Sequence, residues 1–173
     1  MSSRGGKVAA ALLFIALCYV ILRLAWVGDD AYITLRTIEN WIHGHGITWN
    51  PGERVQTYTH PLWMLLLAAG RWLSGEAFYT AITLGTACTL LAVLVLLRCI
   101  GRADDCAAAL VMLIAARSFG DYATSGLENP LAYLLLALLC AESTREAPRV
   151  LATALLAGLL ATTRLDFGVK AQR

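Results

Sequence analysis

Residues 8–26 read VAAALLFIALCYVILRLAW, an apolar run long enough to cross a bilayer core about 30 Å thick as a helix. Over the 173 residues, 58% are hydrophobic and only 15% are charged, and the mean hydropathy is +0.64. A soluble domain usually has about one quarter charged residues. The composition therefore predicts an integral membrane protein.

Arg4 and Lys7 precede this run, so a secretory signal peptide has to be weighed against a retained helix. The run exceeds the about 7–15 apolar residues of a signal, and residues 28–30 read GDD, which lacks a small-residue cleavage pattern. We therefore interpret the run as a retained anchor. No internal repeat or low-complexity linker divides the chain, so residues 1–173 are predicted to form a single membrane module.

Further apolar runs predict an all-α, polytopic helical bundle with about five spanning helices. These runs are residues 78–97, 106–116, 130–141 and 150–163. The last three are short for a bilayer and would need flanking residues or local thinning. Residues 61–73 reach only about 20 Å as a helix, which favours a juxtamembrane or re-entrant helix over a span.

Basic residues predict the orientation, provided that residues 61–73 do not cross the membrane. Arginines near the ends of the second and fourth spans then lie on the side of Arg4 and Lys7, as the positive-inside rule prefers. These arginines are Arg98, Arg102, Arg145 and Arg149. We therefore expect a multi-pass protein of the cytoplasmic (inner) membrane, with residues 28–60 as its first external loop.

This external loop, residues 28–60, is predicted to contain an amphipathic helix on the membrane surface. Its apolar face recurs at helical spacing and comprises Ala31, Leu35, Ile38 and Ile42. Gly44 is suited to end the helix in a left-handed conformation. Residues 50–53 read NPGE, which favours a type II turn, and Pro61 is suited to begin the next helix.

Two adjacent carboxylates, Asp29 and Asp30, open this helix directly after the first span. One of them is expected to cap the helix and to complement its dipole. Capping does not require two carboxylates. Adjacent carboxylates at the rim of a low-dielectric region repel each other, which favours proton uptake by one and suits a general base. Capping and catalysis both remain as interpretations of the pair.

Three other polar segments also have a structural interpretation. Residues 43–45 read HGH, which is more typical of a turn than of a metal site, since no third ligand stands at a fixed spacing. Glu128 precedes Asn129 and Pro130, and Asn129 is a natural N-cap, so helix capping is sufficient to explain the segment. Arg164 and Asp166 are expected at the end of the last helix, where an interfacial ion pair is the simpler interpretation.

Several functional classes are disfavoured. The net charge is +2 and no Lys/Arg cluster lies among aromatic residues, which excludes a nucleic-acid partner. The five cysteines form no CxxC pair and indicate neither a zinc site nor a disulfide framework. The span interiors carry no Asp, Glu, Lys or His, so a small transporter with a proton or ion pathway ranks last.

Three segments occur in an order that resembles a known family. Residues 29–68 read DDAYITLRTIENWIHGHGITWNPGERVQTYTHPLWMLLLA, with an acidic pair, an NPGER turn and an HPLW helix start. Residues 123–138 read ATSGLENPLAYLLLAL, and residues 164–166 read RLD. Together they resemble the N-terminal portion of the GT-C superfamily of membrane glycosyltransferases, and are most similar to the actinobacterial terminal arabinofuranosyltransferase-like group.

This resemblance implies a transferase that moves a sugar from a polyprenyl-phosphate donor to a glycan or lipid acceptor of the cell envelope, on the extracytoplasmic face. It implies that Asp29 is the base that removes the acceptor proton. The residues expected to bind substrate are Asp30, His60, Glu128, Arg164 and Asp166. No metal ligand is assigned, and a divalent metal is left open as a cofactor. Membrane lipids are the other expected partners.

Enzymes of this group usually carry many more spans, so the chain is expected to be a truncated or incomplete copy. The alternative function is a non-catalytic membrane fragment or interaction module that keeps inherited motifs.

Overall fold

The computed structural model describes residues 4–53 and 57–163, and every regular element in these residues is an α-helix. The all-α class predicted from the sequence is thereby confirmed. The helices are α1 (Arg4–Arg23), α2 (Asp29–Ile42), α3 (Pro61–Ser74), α4 (Phe78–Ile100), α5 (Ala103–Ala115), α6 (Arg117–Tyr122), α7 (Asn129–Ser143) and α8 (Val150–Thr163).

Two of these helices are long and apolar enough to cross a membrane, α1 with 20 residues and α4 with 23. Helices α7 and α8 are apolar but have only 15 and 14 residues. The structure therefore supports two of the about five spanning helices predicted from the sequence, and not the other three. The run predicted at 106–116 lies in α5 except for its last residue, Ala116, which leaves the helical region with φ −77° and ψ 85°. Helix α6 begins at the next residue, Arg117.

Helices α4 and α7 form the centre of the fold. Their close approach depends on Gly85 of α4, where a Cβ would lie 2.8 Å from the carbonyl oxygen of Ala123 and 3.5 Å from Cγ of Pro130. Because Pro130 is in the first turn of α7, the beginning of α7 packs against the N-terminal part of α4. Helix α1 packs beside them on α5, with Leu17, Ile21 and Leu110 buried between the elements.

Helices α2 and α3 form a layer over the N-terminal ends of α4 and α7. Ala31 and Ile38 of α2 are fully buried in one apolar cluster with Trp63 and Leu67 of α3. The apolar face of α2 thus points into the protein. Ile42 was assigned to the same face but is 39% exposed, because it is the last residue of α2.

The ion pair of Glu39 and Arg71 joins α2 to α3. Arg71 donates from Nε to Glu39 Oε1 and from Nη2 to Oε2, the latter at 3.0 Å. The hydrogen bond to the carboxylate raises the pKa of Arg71 above its ordinary value. This bidentate pair fixes the position of α2 on α3.

The turn predictions for the first loop are confirmed. Gly44, which follows the C-cap residue His43 of α2, has φ +79°. Gly52 has φ +93°, and the backbone N–H of Glu53 donates to the carbonyl of Asn50 at 3.1 Å, which closes the predicted turn. Pro61 is the first residue of α3.

A buried carboxylate closes the turn between α7 and α8. Glu142 is 5% exposed, and Arg149 donates to it from its backbone N–H at 2.9 Å, from Nε at 3.0 Å and from Nη2 at 3.1 Å. The hydrogen bonds from Arg149 lower the pKa of Glu142 from its ordinary 4.5 to about 2. The carboxylate thus stabilises the folded chain only while it is ionised.

The free energy of unfolding is expected to fall as the pH decreases from about 4.5 to about 2, because protons bind the unfolded carboxyl more readily than the folded one. Above that window the contribution of Glu142 is fully present. Unfolding in mixed micelles at a series of pH values measures the effect. Glu142→Gln is expected to remove this pH dependence of the free energy of unfolding. Glu146→Gln, in the same turn, is expected to retain it. An unchanged pH dependence in Glu142→Gln would contradict the assignment.

Candidate active site

The segment between α6 and α7 is hydrogen-bonded to the beginning of α2 and to α3. The backbone N–H of Gly28 donates to the carbonyl of Ser125 at 2.8 Å. The indole N–H of Trp63 donates to the carbonyl of Gly126 at 2.8 Å. The DD motif (residues 29–30), the HPLW motif (60–63) and the TSGLE motif (124–128) are distant in the sequence but are therefore neighbours in the fold.

Gly126 lies at the closest contact between these segments. Its φ of +79° is left-handed, and a Cβ there would lie 2.8 Å from Cβ of Ala31 and 3.1 Å from Cγ1 of Val27. Any L side chain at this position would be strained by the backbone and would also push α2 away. The glycine is therefore what allows Glu128, two residues later, to lie beside α2.

Gly126→Ala is expected to lower the free energy of unfolding by about 2 kcal/mol or more, from overpacking and left-handed strain together. Gly120→Ala is the matched control, because Gly120 is also buried but a Cβ there meets nothing within 4 Å. Thermal or detergent unfolding of both variants measures the difference. Equal stabilities would show that the close contact at Gly126 does not constrain the fold.

His60, the residue before α3, connects α2 to the TSGLE segment. Its Nε2 lies 2.9 Å from Oγ1 of Thr34, and its Nδ1 lies 3.5 Å from Oε2 of Glu128. His60 and Glu128 are 8% and 7% exposed. Each ring nitrogen of His60 therefore faces an oxygen, that of the Thr34 hydroxyl on one side and that of the Glu128 carboxyl group on the other. The imidazole is thus held by a partner on each side.

A cavity of about 350 Å³ opens beside this pair, and we call it the His60 cavity. Its volume is within the range of small-molecule sites, about 300–1,000 Å³. Its walls combine carboxylates, hydroxyls and one imidazole with a few apolar side chains. The lining residues are Asp30, Ile33, Thr34, Thr57, Tyr58, Thr59, His60, Leu127 and Glu128.

Of the predicted site residues, Asp30, His60 and Glu128 come together in the His60 cavity. Asp29 is exposed in the first turn of α2 and is not among the residues that line this cavity. Arg164 and Asp166 lie outside the described residues. The hydroxyls of the cavity were not singled out from the sequence, although Thr34 follows Asp30 by one helical turn and Thr57 to Thr59 lead directly to His60.

The capping predictions are wrong in detail. The N-cap of α2 is Gly28, which has no side chain, and the two aspartates occupy the first turn that follows. There they complement the helix dipole. Helix α7 begins at Asn129 itself, and its N-cap is Glu128, which makes no side-chain cap hydrogen bond. Capping therefore does not explain the burial of Glu128 against His60.

The His60 cavity has the groups that recognise a polyhydroxylated ligand. Carboxylates and hydroxyls accept hydrogen bonds from sugar hydroxyls, and the hydroxyls also donate. Within residues 4–53 and 57–163, no group of three or more His, Cys, Asp or Glu side chains is arranged to hold a metal ion.

Fold and cavity together define a class: an all-helical chain with membrane-spanning candidates α1 and α4 and a polar, carboxylate-lined cavity beneath its helical layer α2–α3. The chain is similar to the terminal β-(1→2)-arabinofuranosyltransferase of Mycobacterium tuberculosis, with 36% identity over 126 residues, which are 66% of this chain and 20% of the relative. It is also similar to the enzyme of that name in Corynebacterium glutamicum, with 31% identity over 126 residues, which are 65% of this chain and 18% of the relative.

These similarities confirm the resemblance to terminal arabinofuranosyltransferases. The chain spans about one fifth of the length of either relative. No family model matches the chain. No solved structure matches it either.

Proposed function

We propose that this chain forms the substrate-binding part of a membrane glycosyltransferase. The reaction transfers a sugar from a polyprenyl-phosphate donor to a glycan or lipid acceptor of the cell envelope. The observation that carries the proposal is the convergence of Asp30, His60 and Glu128 in one cavity. The names of the similar proteins support the same chemistry, since both are arabinofuranosyltransferases.

In this proposal Asp29 is the general base and accepts the proton of the acceptor hydroxyl as that oxygen attacks the anomeric carbon. The bond from the anomeric carbon to the donor phosphate breaks, and the phosphate leaves with the electron pair. Asp30 and Glu128 hold sugar hydroxyls, and His60 keeps Glu128 in place. Arg164 and Asp166, which lie outside the described residues, are proposed to bind substrate, and Arg164 has the charge that suits the donor phosphate.

The position of the cavity suits a lipid-linked donor. Asp29 is only six residues beyond Arg23, the last residue of α1. Asp29 and Asp30 therefore lie close to the rim of a membrane that α1 crosses. A polyprenyl phosphate presents its sugar at the same depth, and positioning of both reactants there lowers the entropic barrier of transfer. We further propose that this end of the bundle faces outward, because Arg4, Lys7, Arg98 and Arg102 belong to the opposite end.

A chimera tests the function. The chain would replace the segment that it matches in the Corynebacterium glutamicum relative, in cells that lack that enzyme. We expect the chimera to restore terminal arabinofuranose on the cell-wall glycan, measured by glycan linkage analysis. A chimera that accumulates in the membrane at the parental level but adds no arabinofuranose would contradict the proposal and favour a non-catalytic interaction module.

A further inference from the structure

A second cavity, of about 470 Å³, lies on the other side of α2, and we call it the aromatic groove. Its walls contain aromatic rings from three elements together with charged side chains. The rings are Tyr32, Trp49 and Phe78, and the charged residues are Arg36, Glu39 and Glu76. The role proposed above for the His60 cavity does not involve any of these residues.

The charged groups of the aromatic groove are held in fixed positions. The guanidinium of Arg36 lies 4.5 Å above the ring of Trp49 and donates to Oδ1 of Asn50 at 3.3 Å. Glu39 is bound by Arg71, as described above. Oε1 of Glu76 accepts the backbone N–H of Phe78 at 2.9 Å, and Oε2 accepts that of Tyr79. Glu39 is thus ion-paired, whereas Arg36 and Glu76 are held by neutral groups, and both kinds of side chain can form further hydrogen bonds with a polar ligand.

The exposed ring of Tyr32 adds an apolar surface, since this residue is 47% exposed while it lines the groove. A sugar ring combines C–H faces, which stack on aromatic rings, with hydroxyls, which bond to carboxylates and guanidinium groups. A lipid chain would cover the charged groups without offering them any hydrogen bond, and a free phosphate would be repelled by the carboxylates of Glu39 and Glu76. The lining of the aromatic groove therefore fits a neutral sugar ring.

The two cavities flank Asp29. Consecutive helical residues are about 100° apart, so Asp29 lies about 100° from Asp30 on one side and about 60° from Tyr32 on the other. Asp30 lines the His60 cavity and Tyr32 lines the aromatic groove. Asp29 is exposed on the ridge between them. We infer that the aromatic groove binds a sugar ring of the oligosaccharide acceptor, on the opposite side of Asp29 from the donor sugar. This inference rests on the proposed function.

The test uses the full chain purified in detergent micelles, without donor, and a synthetic arabinofuranosyl tetrasaccharide as the probe. Saturation-transfer NMR is expected to show binding. Tyr32→Ala is expected to weaken binding about tenfold or more, the scale of a lost ring contact. Trp72→Ala is the matched control, because Trp72 is 75% exposed on α3 and does not line either cavity. Its affinity should equal that of the parent chain.

Tyr32 is half exposed, so its replacement leaves the core intact, and unchanged circular dichroism verifies folding. Trp49→Phe is a second variant, and weaker binding by it supports the same site. The inference is overturned if the probe fails to bind at millimolar concentration, or if Tyr32→Ala and Trp49→Phe bind it as tightly as Trp72→Ala does.

Sugar transfer by the chimera is measured separately from binding of the probe. If binding fails but transfer is intact, only the inference about the aromatic groove is removed. If transfer fails but binding is intact, the proposed function is removed.

Discussion

Trp63→Ala is expected to lower the free energy of unfolding by about 3–5 kcal/mol, the usual cost of truncating a fully buried tryptophan. Trp63 is 0% exposed and packs in the apolar cluster beneath α2. Its indole N–H also donates to the carbonyl of Gly126. The substitution therefore leaves a cavity between α2 and α3 and removes the hydrogen bond that attaches the TSGLE segment.

Two further variants separate these effects. Trp63→Phe keeps most of the ring but leaves the Gly126 carbonyl without its donor, at a cost of about 1–3 kcal/mol. Trp72→Ala, on the exposed side of the same helix, should change stability by no more than about 0.5 kcal/mol. Reversible unfolding in mixed micelles measures all three. If Trp63→Ala and Trp72→Ala are equally stable, Trp63 does not hold the layer together.

Hydrophobic patterning predicted the helical class and the positions of α1 and α4. The length of an uninterrupted apolar run is enough to identify such a helix, without knowledge of its contacts. It did not predict the break at Ala116, since no proline or glycine stands there. Tertiary contacts accompany the break: the indole N–H of Trp26 donates to the carbonyl of Asp121 in α6 at 2.9 Å. Such contacts between residues far apart in the sequence leave no local signal.

The grouping of Asp30, His60 and Glu128 could be anticipated only from the order of the motifs, since no spacing rule connects residues so far apart. The sequence did not tell which aspartate faces the cavity. That choice depends on the rotation of α2, which is set by burial of Ala31 and Ile38 against α3. The aromatic groove was not predicted either, because its rings come from α2, the following loop and α4.

Asp29→Asn is expected to reduce turnover of the chimera about 100-fold or more, because an amide cannot accept the proton of the acceptor hydroxyl. The substitution keeps the size of the side chain, and Asp29 is exposed, so folding and binding of the tetrasaccharide probe should persist. Asp30→Asn is expected to act on substrate binding and to raise KM, since Asp30 lines the His60 cavity.

The most direct test of the proposed role of Asp29 as the general base compares Asp29→Asn with Asp104→Asn in the same chimera. Asp104 and Asp105 occupy the first turn of α5 as Asp29 and Asp30 occupy that of α2, so both substitutions remove a similar interaction with a helix dipole. The measurement is the initial rate of arabinofuranose transfer from the lipid-linked donor in membranes. We predict a loss of about 100-fold or more for Asp29→Asn and a parental rate for Asp104→Asn. Equal rates in the two variants would show that Asp29 only complements its helix.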